Sequence, residues 1–133
     1  VKPELLFKIS FQASHSLENY EVEHAHLWKL EVGFRGDFIR DKILDIPFAR
    51  GEIQKLVDAL AGSFLNQNEA LPKTAQSFPT CETLGQHFLN ALDKLNREKF
   101  IPLNPSVTLS QVSVAICDLD GTETGAVRFS AGH

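Results

Sequence analysis

Two stretches near the start of the chain alternate apolar and polar residues too regularly to be helical, and they constrain the fold more than any other feature. In LLFKISFQASH (5–15), Phe7, Ile9 and Phe11 fall on one side, and Leu6, Lys8, Ser10 and Gln12 fall on the other. In HAHLWKLEVGF (24–34), His24, His26, Trp28, Leu30 and Val32 share one side, opposite Leu27, Lys29, Glu31 and Gly33. A period of two predicts two strands, each with one face toward a core. From Phe48 the period changes. Ile53, Leu56, Val57, Leu60 and Phe64 recur three and four apart, which predicts a helix ending near Phe64 to Asn66. A polar, Asn- and Pro-containing loop over 66–80 follows. CETLGQHFLNALDKLNREKF (81–100) then predicts a second helix, with Thr80 as its N-cap and Glu82 and Thr83 in its first turn. TLSQVSVAICDL (108–119) and GAVRFSAG (125–132) complete the chain as a hairpin around Asp120-Gly121. The order strand, strand, helix, helix, strand, strand describes an α+β domain in which an antiparallel sheet carries helices on one face.

The 133 residues suit a single domain over 1–133, since there is no linker and no low-complexity tract. No run is apolar for long enough to cross a bilayer, and the N-terminal residues lack the pattern of a secretory signal. Two cysteines are too few for a disulfide scaffold, so a reducing, cytoplasmic setting is expected. The net charge of −4, with no dense cluster among 13 basic residues, argues against a protein that tracks nucleic-acid phosphates.

The chemistry is concentrated in the histidines. Alternate strand residues point the same way, roughly 6.5–7 Å apart at Cα. His24 and His26 can therefore converge on one ion if a third ligand arrives from a neighbouring strand. His15, at the end of the first strand, is placed to supply it. Three imidazoles and an open fourth position are the donor set of a catalytic zinc site. Spacing alone leaves a second reading open, in which His24 and His26 are hydrogen-bonded side chains beside Trp28. The cysteines divide similarly. Cys81, in the first turn of a helix, is placed for a depressed pKa and raised nucleophilicity, whereas inert burial is the commoner fate of a free thiol. Cys117 reads as a strand residue in or near the core.

FQASHSL, HAHLW, ILDIPFARGEIQKLVDAL with its following FLNQ, and FPTCETLGQHFLNAL, taken in this order, resemble the 6-pyruvoyl-tetrahydropterin and 6-carboxytetrahydropterin synthases, the latter belonging to queuosine biosynthesis. The resemblance implies a T-fold: a four-stranded antiparallel sheet with two helices on one face, three subunits closing a barrel, and two trimers stacking into a hexamer. It implies zinc held by His15, His24 and His26, and a pterin-like ligand held at the second helix by Thr80, Cys81 and Glu82. The implied activity is that of a zinc-dependent carbon–oxygen lyase acting on dihydroneopterin triphosphate.

The chain also departs from the family pattern. Tyr20 stands where relatives keep a cysteine, Ala61 and Gly62 stand where they keep an Asp-His pair, and Ile116 falls near the place of a second ligand-binding glutamate, with Asp118 two residues on. Asp58, one turn before Gly62, reads as an exposed helix residue. Tyr20, Cys81 and Asp118 are thus the candidates for proton transfer. Three functions follow: the family lyase, a zinc-binding paralogue without turnover, or a different zinc-dependent reaction on a pterin or purine derivative.

Overall fold

The computed structural model describes residues 2–17 and 22–130. Four strands, β1 (Glu4–His15), β2 (His24–Arg35), β3 (Thr108–Cys117) and β4 (Glu123–Ser130), form one antiparallel sheet in the order β1-β2-β3-β4. The alternation read from the sequence is the alternation of its faces. Phe7, Ile9, Phe11, Trp28, Leu30, Val32 and Phe34 are buried on the inner face. Val112 and Val114 join them from β3, since Val32 pairs with Val112 and Leu30 with Val114. Between Gly33 and Phe34 the register shifts, so that Phe34 faces Leu109. The extra residue is a β-bulge that restores the apolar face of β3 after its parity slips.

The helices α1 (Ile46–Asp58) and α3 (Cys81–Leu95) cover that inner face, with Ile53, Val57, Leu84, Phe88 and Leu92 turned into the core. Helix α1 starts earlier than its period suggests. Asp45 caps it by accepting from the Phe48 amide at 3.1 Å, and Pro47 occupies the first turn, where its missing N–H costs nothing. It also stops earlier, at Asp58. Gly62 takes a left-handed φ of 73°, and its amide donates to the Gln12 carbonyl at 2.7 Å, drawing the chain back along the β1 edge. Leu60 is still fully buried in the turn that replaces the last predicted helical residues. The 66–80 stretch, expected as loop, contains a short helix α2 (Lys73–Ser77) anchored by buried Leu71 and Ala75. The last helix reaches Phe100 as predicted, its final turn (96–100) being π-helical.

Helix α3 lies against β4 because Gly85 lets it. A Cβ at Gly85 would stand 2.6 Å from Cε2 of Phe129 and 3.1 Å from Cγ1 of Val127. The N-terminus of α3 is thereby fixed over β3 and β4, beside the histidine end of the sheet. The expected barrel is not formed. The sheet is open, with β1 and β4 at its two edges and no pairing between them. Four strands with helices packed across one face have no register in which their own edges meet. Among the described residues, no helix is long and apolar enough to cross a membrane.

Candidate metal centre and ligand cleft

The register of β1 on β2 brings the three histidines together. His15 pairs directly with His24, and Ala13 with His26, so the imidazoles stand on one face at the end of the hairpin. Their ring centroids are 4.7–5.0 Å apart, and one nitrogen from each lies within 4.8 Å of the others. Each Nδ1 faces a backbone carbonyl: that of Pro79 for His15 at 2.7 Å, Val22 for His24 at 2.9 Å, and Cys117 for His26 at 3.1 Å. A carbonyl oxygen only accepts, so these contacts place the proton on Nδ1 in all three rings. Nε2 is then the ring atom that a neutral imidazole offers to a metal. Outer hydrogen bonds of this kind orient imidazoles for a metal and raise their basicity. The three residues are a group able to hold a metal ion.

The group is supported from below by Trp28, which is fully buried. Its indole N–H donates to the Ala13 carbonyl at 3.1 Å, and its ring stands edge-on to His15 with centroids 5.3 Å apart. His15 is itself 3% exposed, while His24 and His26 are half-buried. The arrangement is thus closed on the core side.

A cleft of about 500 Å³ opens beside His15 and runs to the start of α3. Thr80, Cys81 and Glu82, expected as ligand-binding residues, line one side of it. Thr80 caps α3 through a reciprocal arrangement. Its side chain accepts from the Thr83 amide at 3.2 Å, while Thr83 Oγ1 accepts from the Thr80 amide at 3.0 Å. This is a capping box with threonine in the place usually held by glutamate. The carboxylate of Glu82 is released from capping and stands exposed at the cleft. The other walls are Leu17, Ile116 and Val127, with Gly125 and Ala126 from the β4 edge. The sequence pointed to Ile116, as the residue near the place of a second ligand-binding glutamate, but not to the others. Their proximity depends on the pairing of Trp28 with Ile116 and of Ile116 with Gly125, which no local pattern encodes.

The proton-transfer candidates fare differently. Tyr20 lies outside the described residues. Cys81 is buried and does line the cleft, but the depressed pKa expected from its helix position is not found. Burial, reinforced by the neighbouring Glu82 carboxylate, pushes its thiol up to about 11. Desolvation outweighs the helix end, and Cys81 is a neutral thiol at physiological pH. Cys117, also fully buried, is shifted upward for the same reason. Asp118 is exposed in the β3–β4 turn, where its amide donates to the Thr122 carbonyl at 2.8 Å, and it takes no part in lining the cleft. Ala61 and Gly62 are exposed at the turn after α1, and Asp58 is exposed on α1, accepting from Gln54 at 2.8 Å.

The family model described as 6-pyruvoyl tetrahydropterin synthase matches residues 4–121. No curated protein matches the chain. Among solved structures, an uncharacterized protein from Wolinella succinogenes is similar at 13% identity, covering 99% of both chains with a TM-score of 0.73. The 6-pyruvoyl tetrahydropterin synthase of Caenorhabditis elegans is similar at 15% identity, covering 98% of both chains with a TM-score of 0.67. That of Plasmodium vivax is similar at 17% identity, covering 97% of this chain and 98% of its own, with a TM-score of 0.65. Identities this low carry the fold alone, but the family match spans nearly the whole sequence: the chain belongs to the 6-pyruvoyl tetrahydropterin synthase family.

Proposed function

We propose that this chain is a zinc protein that binds dihydroneopterin triphosphate or a related pterin in the cleft beside His15, and that it does so without the ordinary synthase turnover. The carrying observation is the three-histidine group, each Nδ1 tied to a carbonyl, with His15 lining a cleft that holds one exposed carboxylate. Three imidazoles suit zinc, which when bound polarises a ligand hydroxyl or carbonyl. Glu82 receives the N–H groups of the heterocycle, and the first-turn amides of α3 favour its electron-rich atoms. Cys81 contributes a neutral thiol and no base. Moving protons between adjacent carbons needs positioned acids and bases, which typically contribute about 10²–10⁴-fold in rate.

A carboxylate is the alternative route to turnover as a carbon–oxygen lyase. Two Plasmodium vivax structures replace a glutamate described as a catalytic residue. The described acidic neighbour of the histidines here is Glu23, which accepts from Ser14 Oγ at 2.5 Å. By strand parity both lie on the face opposite the imidazoles, which favours the binding function over this route.

In our reading the chain acts in the cytoplasm as one domain and assembles with its own copies, as two trimers forming a hexamer. The open β4 edge supports association, because its unpaired backbone groups need partners. The test is incubation of the zinc-loaded protein with dihydroneopterin triphosphate, following binding calorimetrically and products by chromatography. Saturable binding, weakened about tenfold or more in Glu82→Gln, with product formation at least about a hundredfold below that of family synthases, is expected. Turnover within about tenfold of such an enzyme overturns the proposal.

A further inference from the structure

The polar side chains of the cleft are those of His15 and of the start of α3. Thr80 is committed to its cap, and the Cys81 thiol, protonated at neutral pH, points to the Gly125 carbonyl at 3.8 Å. Glu82 makes no side-chain hydrogen bond or ion pair among the described residues and is the one charged group in the lining. The side chains of Leu17, Ile116 and Val127, which also line the cleft, are carbon alone. A flat bicyclic ligand that directs its donor edge to Glu82 therefore lays its second ring against an aliphatic wall. A ring nitrogen pressed on that wall loses its water and gains no partner, a penalty of about tenfold in affinity. A C–H at the same place loses nothing and gains apolar burial.

Resting on the cleft proposed above, we propose that this chain selects a bicyclic heterocycle whose hydrogen-bonding groups lie along one edge and whose second ring is poor in nitrogen. Ile116 and Val127 are its specificity-determining residues. The two-nitrogen pyrazine ring of a pterin is then tolerated, and a carbon-rich analogue is preferred.

The experiment compares two probes on the zinc-loaded full chain by titration calorimetry. One is pterin, and the other is 2-aminoquinazolin-4(3H)-one, the same polar edge fused to a carbocycle. The quinazolinone is expected to bind about tenfold more tightly. Any apolar surface favours the less polar probe, so Val127→Thr and Ile116→Thr serve as controls. Each presents a hydroxyl to the second ring, and the preference is expected to fall to about threefold or less. Unchanged melting temperature and zinc content identify a variant that has folded, and either variant suffices. Equal or tighter binding of pterin by the wild type overturns the inference while leaving the cleft as a pterin site. A preference unchanged in the folded hydroxyl variants overturns it as well. Binding of neither probe refutes both this inference and the cleft function on which it rests.

Discussion

Cys81 is the residue at which the chemistry implied by position and the chemistry implied by environment diverge most, and its alkylation rate separates them. Its thiol is raised from the ordinary 9.0 to about 11, chiefly by burial and secondarily by Glu82. At pH 7.5 an ordinary thiol is about 3% thiolate, and one with a pKa of about 11 is about 0.03% thiolate, a difference of about a hundredfold. Only the thiolate attacks iodoacetamide, and 7% exposure slows access further. Peptide mass spectrometry of timed alkylations is expected to show Cys81 at least about a hundredfold slower than a free thiol at pH 7.5. Its rate should climb about tenfold per pH unit to beyond pH 10. The same shift links to stability. The native state retains a proton that the unfolded chain releases above pH 9, so the stabilisation is complete below that pH and is lost as pH rises toward 11. The loss amounts to about 2–3 kcal/mol for two pKa units. Cys117 acts in the same direction, so Cys81→Ser should flatten the alkaline decline without abolishing it. Alkylation of Cys81 at a free-thiol rate, levelling off by pH 8, would refute the burial argument and restore Cys81 as a nucleophile.

Gly85→Ala is expected to cost about 1–3 kcal/mol in urea denaturation despite the better helix propensity of alanine, because the new Cβ meets the Phe129 ring and Val127. A neutral or stabilising result would mean that α3 does not lie so close to β4. Thr80→Ala removes the acceptor of the Thr83 amide and is expected to cost about 1 kcal/mol, with frayed amide exchange confined to the first turn of α3. Sedimentation at micromolar concentration is expected to show an assembly larger than the 14.8 kDa chain, and a purely monomeric species would contradict the proposed association.

How much of this was legible in the sequence follows from the range of each interaction. The faces of β1 and β2 were readable because one side chain in two meets the core, and the observed burial of Phe7, Ile9, Phe11, Trp28 and Leu30 repeats that alternation. The histidine group was readable for the same reason, since parity puts His24 and His26 on one face and a hairpin returns His15 to them. The end of α1 was not. Leu60 keeps the helical spacing although the chain has already turned, and the cause is the left-handed Gly62 bonding to Gln12 across the fold. Of the two readings of Cys81, inert burial prevails over helix position, because the enclosing walls from β3 and β4 lie far from it in sequence. The barrel was an expectation about several chains, and the single sheet, open at β1 and β4, does not form one.

The central claim is that His15, His24 and His26 bind one metal ion, and a cobalt(II) titration followed by Trp28 fluorescence tests it most directly. Trp28 is the only tryptophan, and its ring lies 5.3 Å from that of His15, close enough for a paramagnetic ion on the histidines to quench it. The account predicts quenching that saturates at one equivalent, is reversed by zinc, and is abolished in His26→Ala while the fold persists. Quenching that survives in His26→Ala, or no saturable binding by the wild type, would contradict it.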